Sequence, residues 1–240
     1  VDSLFIKENA DIYITGSNAY FMSGDLATLL SGRYVELKML PLSFKEYYES
    51  SHLKANHSLQ EIYEHYITES SFPYTLQLEG KQQDINEYLL GLYNTVILKD
   101  VVGRLHVNDV KMLESIVKYL FANVGSLLSI RKIAASMTSA GRKIDSKTVE
   151  KYLAGLQDSM LIYQAERFDI KGKELLKINP KYYVTDAALR YLKVGRHGQD
   201  TGHILENTVY LEHLLVKQAE EFLQTDHKAL TDSHLYQTVE

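Results

Sequence analysis

The apolar and polar positions of this chain change period several times. Asp11-Ile-Tyr-Ile-Thr15 alternates with the period of a strand and stops at Gly16. After Gly16-Ser17-Asn18, where either polar side chain can cap a helix, Leu26, Leu29 and Leu30 mark a helical face that closes at Ser31-Gly32-Arg33. Tyr34 to Leu40 then resumes strand alternation before Pro41. Strand, helix and strand within about thirty residues is the size of a crossover in a parallel sheet. Such a unit leaves its sheet faces and edges uncovered unless it packs on other chain.

Residues 43–105 read as helices rich in tyrosine and acid. Phe44, Tyr47 and Tyr48 lie in one, Leu59, Ile62, Tyr63 and Tyr66 in a second, and Ile85 to Val102 forms a third. Leu113, Ile116, Val117, Leu120, Phe121, Val124, Leu127 and Leu128 then recur at helical steps and predict a core helix. From Ser129 the elements shorten. A helix near Ile130–Met137 is followed by a polar turn around Gly141. Asp145-Ser146 caps a second helix with Val149, Tyr152, Leu153 and Leu156 inward and Lys147, Thr148 and Lys151 outward. Strands at Leu161–Phe168 and Leu175–Ile178 flank Lys171-Gly172-Lys173. This order of helix, turn, helix and basic-tipped hairpin is that of a winged helix, with a recognition helix and a wing. A strand at Lys181–Thr185, a short helix from Asp186 to Leu192, a glycine-bearing linker at 195–202 and an amphipathic helix at Ile204–Phe222 complete the reading. The predicted fold class is mainly α with small β elements. Its parts are a crossover remnant (1–42), a helical connection (43–105), a winged-helix unit (106–195) and a final helical region (196–240).

Charge sharpens this division. Net charge is −6 over residues 1–105, +6 over 106–195 and −5 over 196–240, so the overall −5 hides a basic middle between acidic flanks. That middle either binds nucleic acid, through release of phosphate counterions, or docks on the acidic flanks of its own chain. The nucleic-acid reading points to Arg131, Lys147, Lys151, Lys171 and Lys173 as contacts to duplex DNA. In the other reading the same surface takes a protein partner.

With no cysteine, a disulfide scaffold, a thiolate nucleophile and cysteine-ligated zinc or iron–sulfur centres are excluded. No apolar run reaches the roughly 18 residues of a spanning helix, and no signal-peptide layout opens the chain, so a cytoplasmic protein without a membrane partner is the expectation. Val1 stands where a methionine would, inside what reads as an ordered element, which points to a fragment of a longer polypeptide.

Thr15-Gly16-Ser17-Asn18, Ser31-Gly32-Arg33 and Pro41-Leu42-Ser43-Phe44-Lys45-Glu46-Tyr47 together resemble the later half of an AAA+ ATPase core. More narrowly, the chain resembles bacterial and archaeal predicted ATPases in which that core precedes a winged helix and a restriction-endonuclease-like domain, often described as a domain of unknown function. The match covers residues 11–47 and, more loosely, 106–212. The resemblance implies a sensor 1 residue at Asn18 or Ser17, where the residues alone give a helix cap. It also implies an arginine finger at Arg33, where they alone give a cation at a helix C-terminus. A homo-oligomer using ATP and magnesium is implied for the full-length protein.

No G-x-x-x-x-G-K-[ST] loop occurs, nor an apolar strand ending in paired acids, so no nucleotide cofactor and no ATPase activity are expected of this chain alone. Nuclease chemistry is the remaining enzymatic reading. By the resemblance, residues 196–240 are the start of a truncated or degenerate restriction-endonuclease-like domain, in which Gly202 to Glu212 is similar to the first helix and Glu206 is the metal-site glutamate. The Asp and Glu-x-Lys that should follow are missing, and 219–240 does not read as strands. Asp25 with Glu36-Leu37-Lys38 has roughly the right spacing, but Asp25 opens a helix. The histidines show no H-E-x-x-H or H-x-x-x-H spacing, so no metal site is expected.

Overall fold

The computed structural model describes residues 12–16, 38–165, 179–198 and 200–232, with side chains to residue 220. The fold is mainly helical with one small antiparallel sheet. Ser43 and Ser58 each form a capping box, with Glu46 and Glu61, and so start α1 (Phe44–Ser50) and α2 (Leu59–Glu69). α3 (Gln82–Thr95) continues directly into a π-helical segment, Val96–Gly103, where a third α-helix through Val102 was expected. After α4 (Val110–Ala122) come α5 (Ile130–Ser139) and α6 (Ser146–Asp158). Strands β1 (Ile162–Ala165) and β2 (Lys181–Val184) pair antiparallel, Ile162 opposite Val184 and Ala165 opposite Lys181. α7 (Ala187–Val194) and the long α8 (Thr201–Asp232) follow.

The main core is built by α3 to α7. Ile85, Leu89, Tyr93, Ile97 and Val101 face Leu113, Ile116, Val117, Leu120 and Phe121 of α4, and Val149, Leu153 and Leu156 of α6 close it. A smaller core joins α1, α2, α7 and α8 through Tyr47, Ile62, Tyr66, Ile67, Ala187 and Ile204. Phe44 meets Tyr63 and Tyr66 edge-to-face at 5.3 and 5.5 Å, so these aromatics are packing groups.

Several expectations are corrected. Ile12–Gly16 carries no strand pairing and Tyr13 is 86% exposed, because none of the described residues supplies a neighbouring strand. Residues 38–40 are likewise unpaired, whereas the rest of that crossover lies outside the described residues. The stripe beginning at Leu113 leaves the helix at Asn123. Val124 stays buried in the turn that follows α4 and Leu128 in the chain beyond it, and Leu127, half exposed, bridges to Lys181 of β2. The return strand seen opposite β1 is Lys181–Val184, while Leu175–Ile178 lies outside the described residues. Gly202 belongs to the first turn of α8, so the linker is shorter than its glycines suggested, and α8 runs past Phe222.

Polar side chains pin the two cores together. Asp186 caps α7 by accepting from Leu189 N (2.7 Å), and its other oxygen accepts from Ser70 Oγ (2.9 Å), Ser71 N (2.7 Å) and Ser71 Oγ (2.7 Å). Arg190, 2% exposed, donates to the Phe121 carbonyl at the end of α4 (2.8 Å) and to Asp200 (2.9 Å). Asn207 of α8 both accepts from Val184 N (2.8 Å) and donates to Val184 O (3.0 Å), as a further strand would. Replacing Asp186 by alanine orphans several buried donors at once. Urea denaturation of Asp186→Ala should show a loss of about 3 kcal/mol, and a loss below about 1 kcal/mol would mean that this carboxylate is not a pin.

Candidate functional site

The sequence-predicted basic residues that the structure describes lie on α5, α6 and the turn between them. Ser129 caps α5 by accepting from Lys132 N, which leaves Arg131 and Lys132 exposed in its first turn. Gly141, at φ +80°, ends the helix in the left-handed conformation that favours glycine, with Gly141 N donating to Thr138 O and Arg142 N to Met137 O. Arg142 and Lys143 are exposed in the turn. Asp145 then caps α6, accepting from Thr148 N (2.9 Å) and Thr148 Oγ1 (2.7 Å). Those bonds, the Thr148 hydroxyl first, hold its carboxyl below the usual carboxylate range. Lys147 is exposed one position into α6. The side chains of Arg131, Lys132, Arg142, Lys143 and Lys147 enter no ion pair among the described residues.

Lys151 differs. Its Nζ donates to the backbone carbonyl of Leu105 (2.7 Å), so the C-terminal half of α6 is engaged by the chain that leads into α4. Asp158, at the end of α6, lies 3.6 Å from Arg104. Lys171 and Lys173 lie outside the described residues, as do Ser17, Asn18, Arg33, Asp25 and Glu36.

Glu206 is a clamp in this fold. Its Oε1 accepts from Lys181 Nζ and Tyr183 OH, both at 2.6 Å. Glu212 accepts from Phe44 N at 2.6 Å. Among the described residues no group of three or more His, Cys, Asp or Glu is arranged to hold a metal ion. An open apolar groove of about 510 Å³ runs between α1, α2 and α8, lined by Phe44, Tyr48, Leu59, Leu205 and Val209. No helix among the described residues is long and apolar enough to cross a membrane.

Residues 60–200, more than half of the chain, match the family model described as Domain of unknown function (DUF8612). The chain belongs to the DUF8612 family. The matched span takes in α2 to α7, and so contains both the basic turn and the segment that covers α6. Residues 1–48 match an AAA domain model, which ends within α1. The DUF8612 chain is 38% identical over 214 residues to an uncharacterized protein of Haemophilus influenzae, covering 88% of this chain and 53% of that protein. It is 31% identical over 216 residues to an uncharacterized protein of Methanocaldococcus jannaschii, covering 84% of this chain and 46% of that one. It thus spans about half the length of these curated relatives. No solved structure matches it.

Two features of the site were missed in the sequence. Arg142 and Lys143 were read only as turn residues, although they flank the helix-capping aspartate. The covering of α6 had one signal, Gly155, a glycine at a buried position of an otherwise well-formed helix.

The Arg190–Asp200 pair makes this arrangement sensitive to acid. Burial alone would raise the Asp200 pKa, but hydrogen bonds from Arg190 and His197 N, with the Arg190 charge, outweigh it and hold the group low. A carboxyl held low stabilises the fold above its unfolded pKa of about 3.9, and this contribution disappears as pH falls through the lower folded value. Asp200→Asn should therefore cost about 3 kcal/mol at pH 7, and the gap from wild type should narrow at acid pH, below that folded value. Denaturation curves at both pH values check this, and a gap independent of pH would exclude the pair as its source.

Proposed function

We propose that this chain is the part of an AAA-type ATPase that follows the nucleotide-binding loop, and that α4 to β2 form a winged helix binding duplex DNA. Supporting the winged helix is the order α4, an extended bridge at Leu127, α5, α6, β1 and β2, with Leu127 and β1 both pairing with β2. On this reading α6 is the recognition helix. The observation that carries DNA binding is the exposed cluster of Arg131, Lys132, Arg142, Lys143 and Lys147, for which the described fold provides no carboxylate partner. Lys171 and Lys173, which the sequence places between β1 and β2, add wing cations. Binding of this kind is made to phosphates and carries little base preference.

Affinity for a duplex should fall with log salt at a slope of about −0.9 per neutralised phosphate, or roughly −3.6 for four contacts. Lys147→Ala should flatten the slope by about 0.9. A flat salt dependence, or no binding at low salt, would instead assign the basic turn to a protein partner.

The AAA match extends the proposal to the whole protein, with ATP and magnesium held by residues outside this sequence and Arg33 acting on a nucleotide in a neighbouring subunit. Loss of such a finger removes transition-state stabilisation and spares nucleotide binding. In a protein of the relatives' full length, Arg33→Ala should lower ATP turnover by about 10³-fold with little change in ATP affinity. Mixing it with subunits lacking the phosphate-loop lysine should restore part of the activity. An arginine that only serves the helix dipole would cost about 0.3–1 kcal/mol of stability and leave turnover intact.

A further inference from the structure

Resting on the duplex-DNA reading of α6, we propose that Glu150 is a base-reading residue of this helix and selects cytosine in the major groove. Ser146, Lys147, Glu150, Lys151 and Ala154 are exposed, and their steps of one and three residues set them along one face of α6. Val149, Tyr152, Leu153 and Leu156 are buried on the opposite face. The outward face is therefore open to a partner, and it carries one acid among its cations.

No contact of that acid supports the fold. Glu150 forms no hydrogen bond and no ion pair among the described residues. Four residues to either side of it stand Ser146 and Ala154, so the spacing that best supports an ion pair along a helix offers no cation. Lys147, three residues before it, is not bonded to it, and Lys151 gives its ammonium to the Leu105 carbonyl at 2.7 Å. The helix dipole favours acids only within the first turn, where Asp145 already accepts from Thr148 N, and Glu150 stands in the second.

Against phosphates alone such a carboxylate is repelled. In the major groove it has a matching partner, because an ionised carboxylate only accepts hydrogen bonds and cytosine presents there the N4 amino group as a donor. Guanine presents the O6 and N7 acceptors and thymine the O4 acceptor, so both repel it. The cations of α5, the turn and Lys147 have a different task. Their phosphate contacts fix the register of the protein on the duplex and carry no sequence information, which leaves base choice to the residues between them. The N-terminal residues of a recognition helix are those that meet base edges, and Glu150 is the fifth residue of α6. Ala154, one turn further on, adds only a methyl group and does not hold the helix out of the groove.

Selection by the 240-residue chain, at low salt, from a pool of duplexes of about 30 base pairs with a randomised centre should enrich cytosine at one position. Fluorescence anisotropy should then show about tenfold weaker binding when that C·G pair is changed to T·A. Glu150→Gln should move the preference at that position to adenine, whose N6 and N7 suit a side-chain amide. Glu150→Ala should bind the two duplexes equally, with circular dichroism confirming the fold. A merely solvated acid behaves otherwise: Glu150→Ala then raises affinity for every sequence alike, and wild type and variant enrich the same bases or none. That result would overturn base reading by Glu150 and leave phosphate binding standing. No binding by the wild-type chain at low salt would overturn the DNA reading itself, and the role of Glu150 with it.

Discussion

The charged side chains of α7 hold the architecture together. Asp186 and Arg190 lie one turn apart, almost fully buried, and each is tied to a different piece of chain. Asp186 takes donors from the Ser70-Ser71 turn after α2, and Arg190 donates to the Phe121 carbonyl near the end of α4 and to the Asp200 carboxylate before α8. Burying either group without partners would cost several kcal/mol, so these contacts are satisfied together or the elements do not meet in this arrangement. An apolar α7 would pack against the same neighbours in several registers. The charged one accepts a single register, because each hydrogen bond fixes both a distance and a direction.

That constraint sets how the AAA-matching start of the chain is joined to the basic unit. Leu42 N donates to Ser71 O, Tyr66 OH donates to Leu42 O, and Ser71 reaches Asp186, so the path from residue 42 to α7 is an unbroken series of hydrogen bonds. α8 returns to the same place, with Tyr63 and Thr208 hydroxyls 3.2 Å apart and Glu212 bound to the first turn of α1. The helical region 43–105 is therefore no flexible tether. It is wedged between α7 and α8 at one end, and through Val101–Leu105 it touches α6 at the other.

The helices were legible because their signals are local. Ser-x-x-Glu capping boxes, an aspartate before α6 and the Leu113 to Phe121 stripe each specify a helix within one or two turns of chain. The stripe misled beyond Asn123 because Val124, Leu127 and Leu128 keep helical spacing outside the helix, and period cannot tell a buried non-helical residue from a buried helical one. The partner of β1 depended on a pairing across the residues between Ala165 and Lys181, which no local pattern encodes. The basic turn was visible in the charge count, but the tie on Lys151 was not. A lysine bound to a backbone carbonyl 46 positions away looks the same in sequence as a solvated one.

The charge division along the chain resolves in space into two populations of cations. Lys181 meets Glu206 and Arg190 meets Asp200, so part of the central positive charge is neutralised by the acidic flank that follows it, while Arg196 of that flank meets Glu64. These pairs cluster around β2, α7 and the start of α8, where the flanks pack. The cations of α5, the following turn and the first turn of α6 stay outside that cluster, and of the acids near them in sequence Asp145 is committed to capping α6 while Glu150 makes no ion pair with them. Self-docking therefore accounts for one end of the basic region and leaves the other uncompensated. An uncompensated group of like charges repels itself and gains nothing for the fold, so it is the part of the surface on which the duplex-DNA proposal rests.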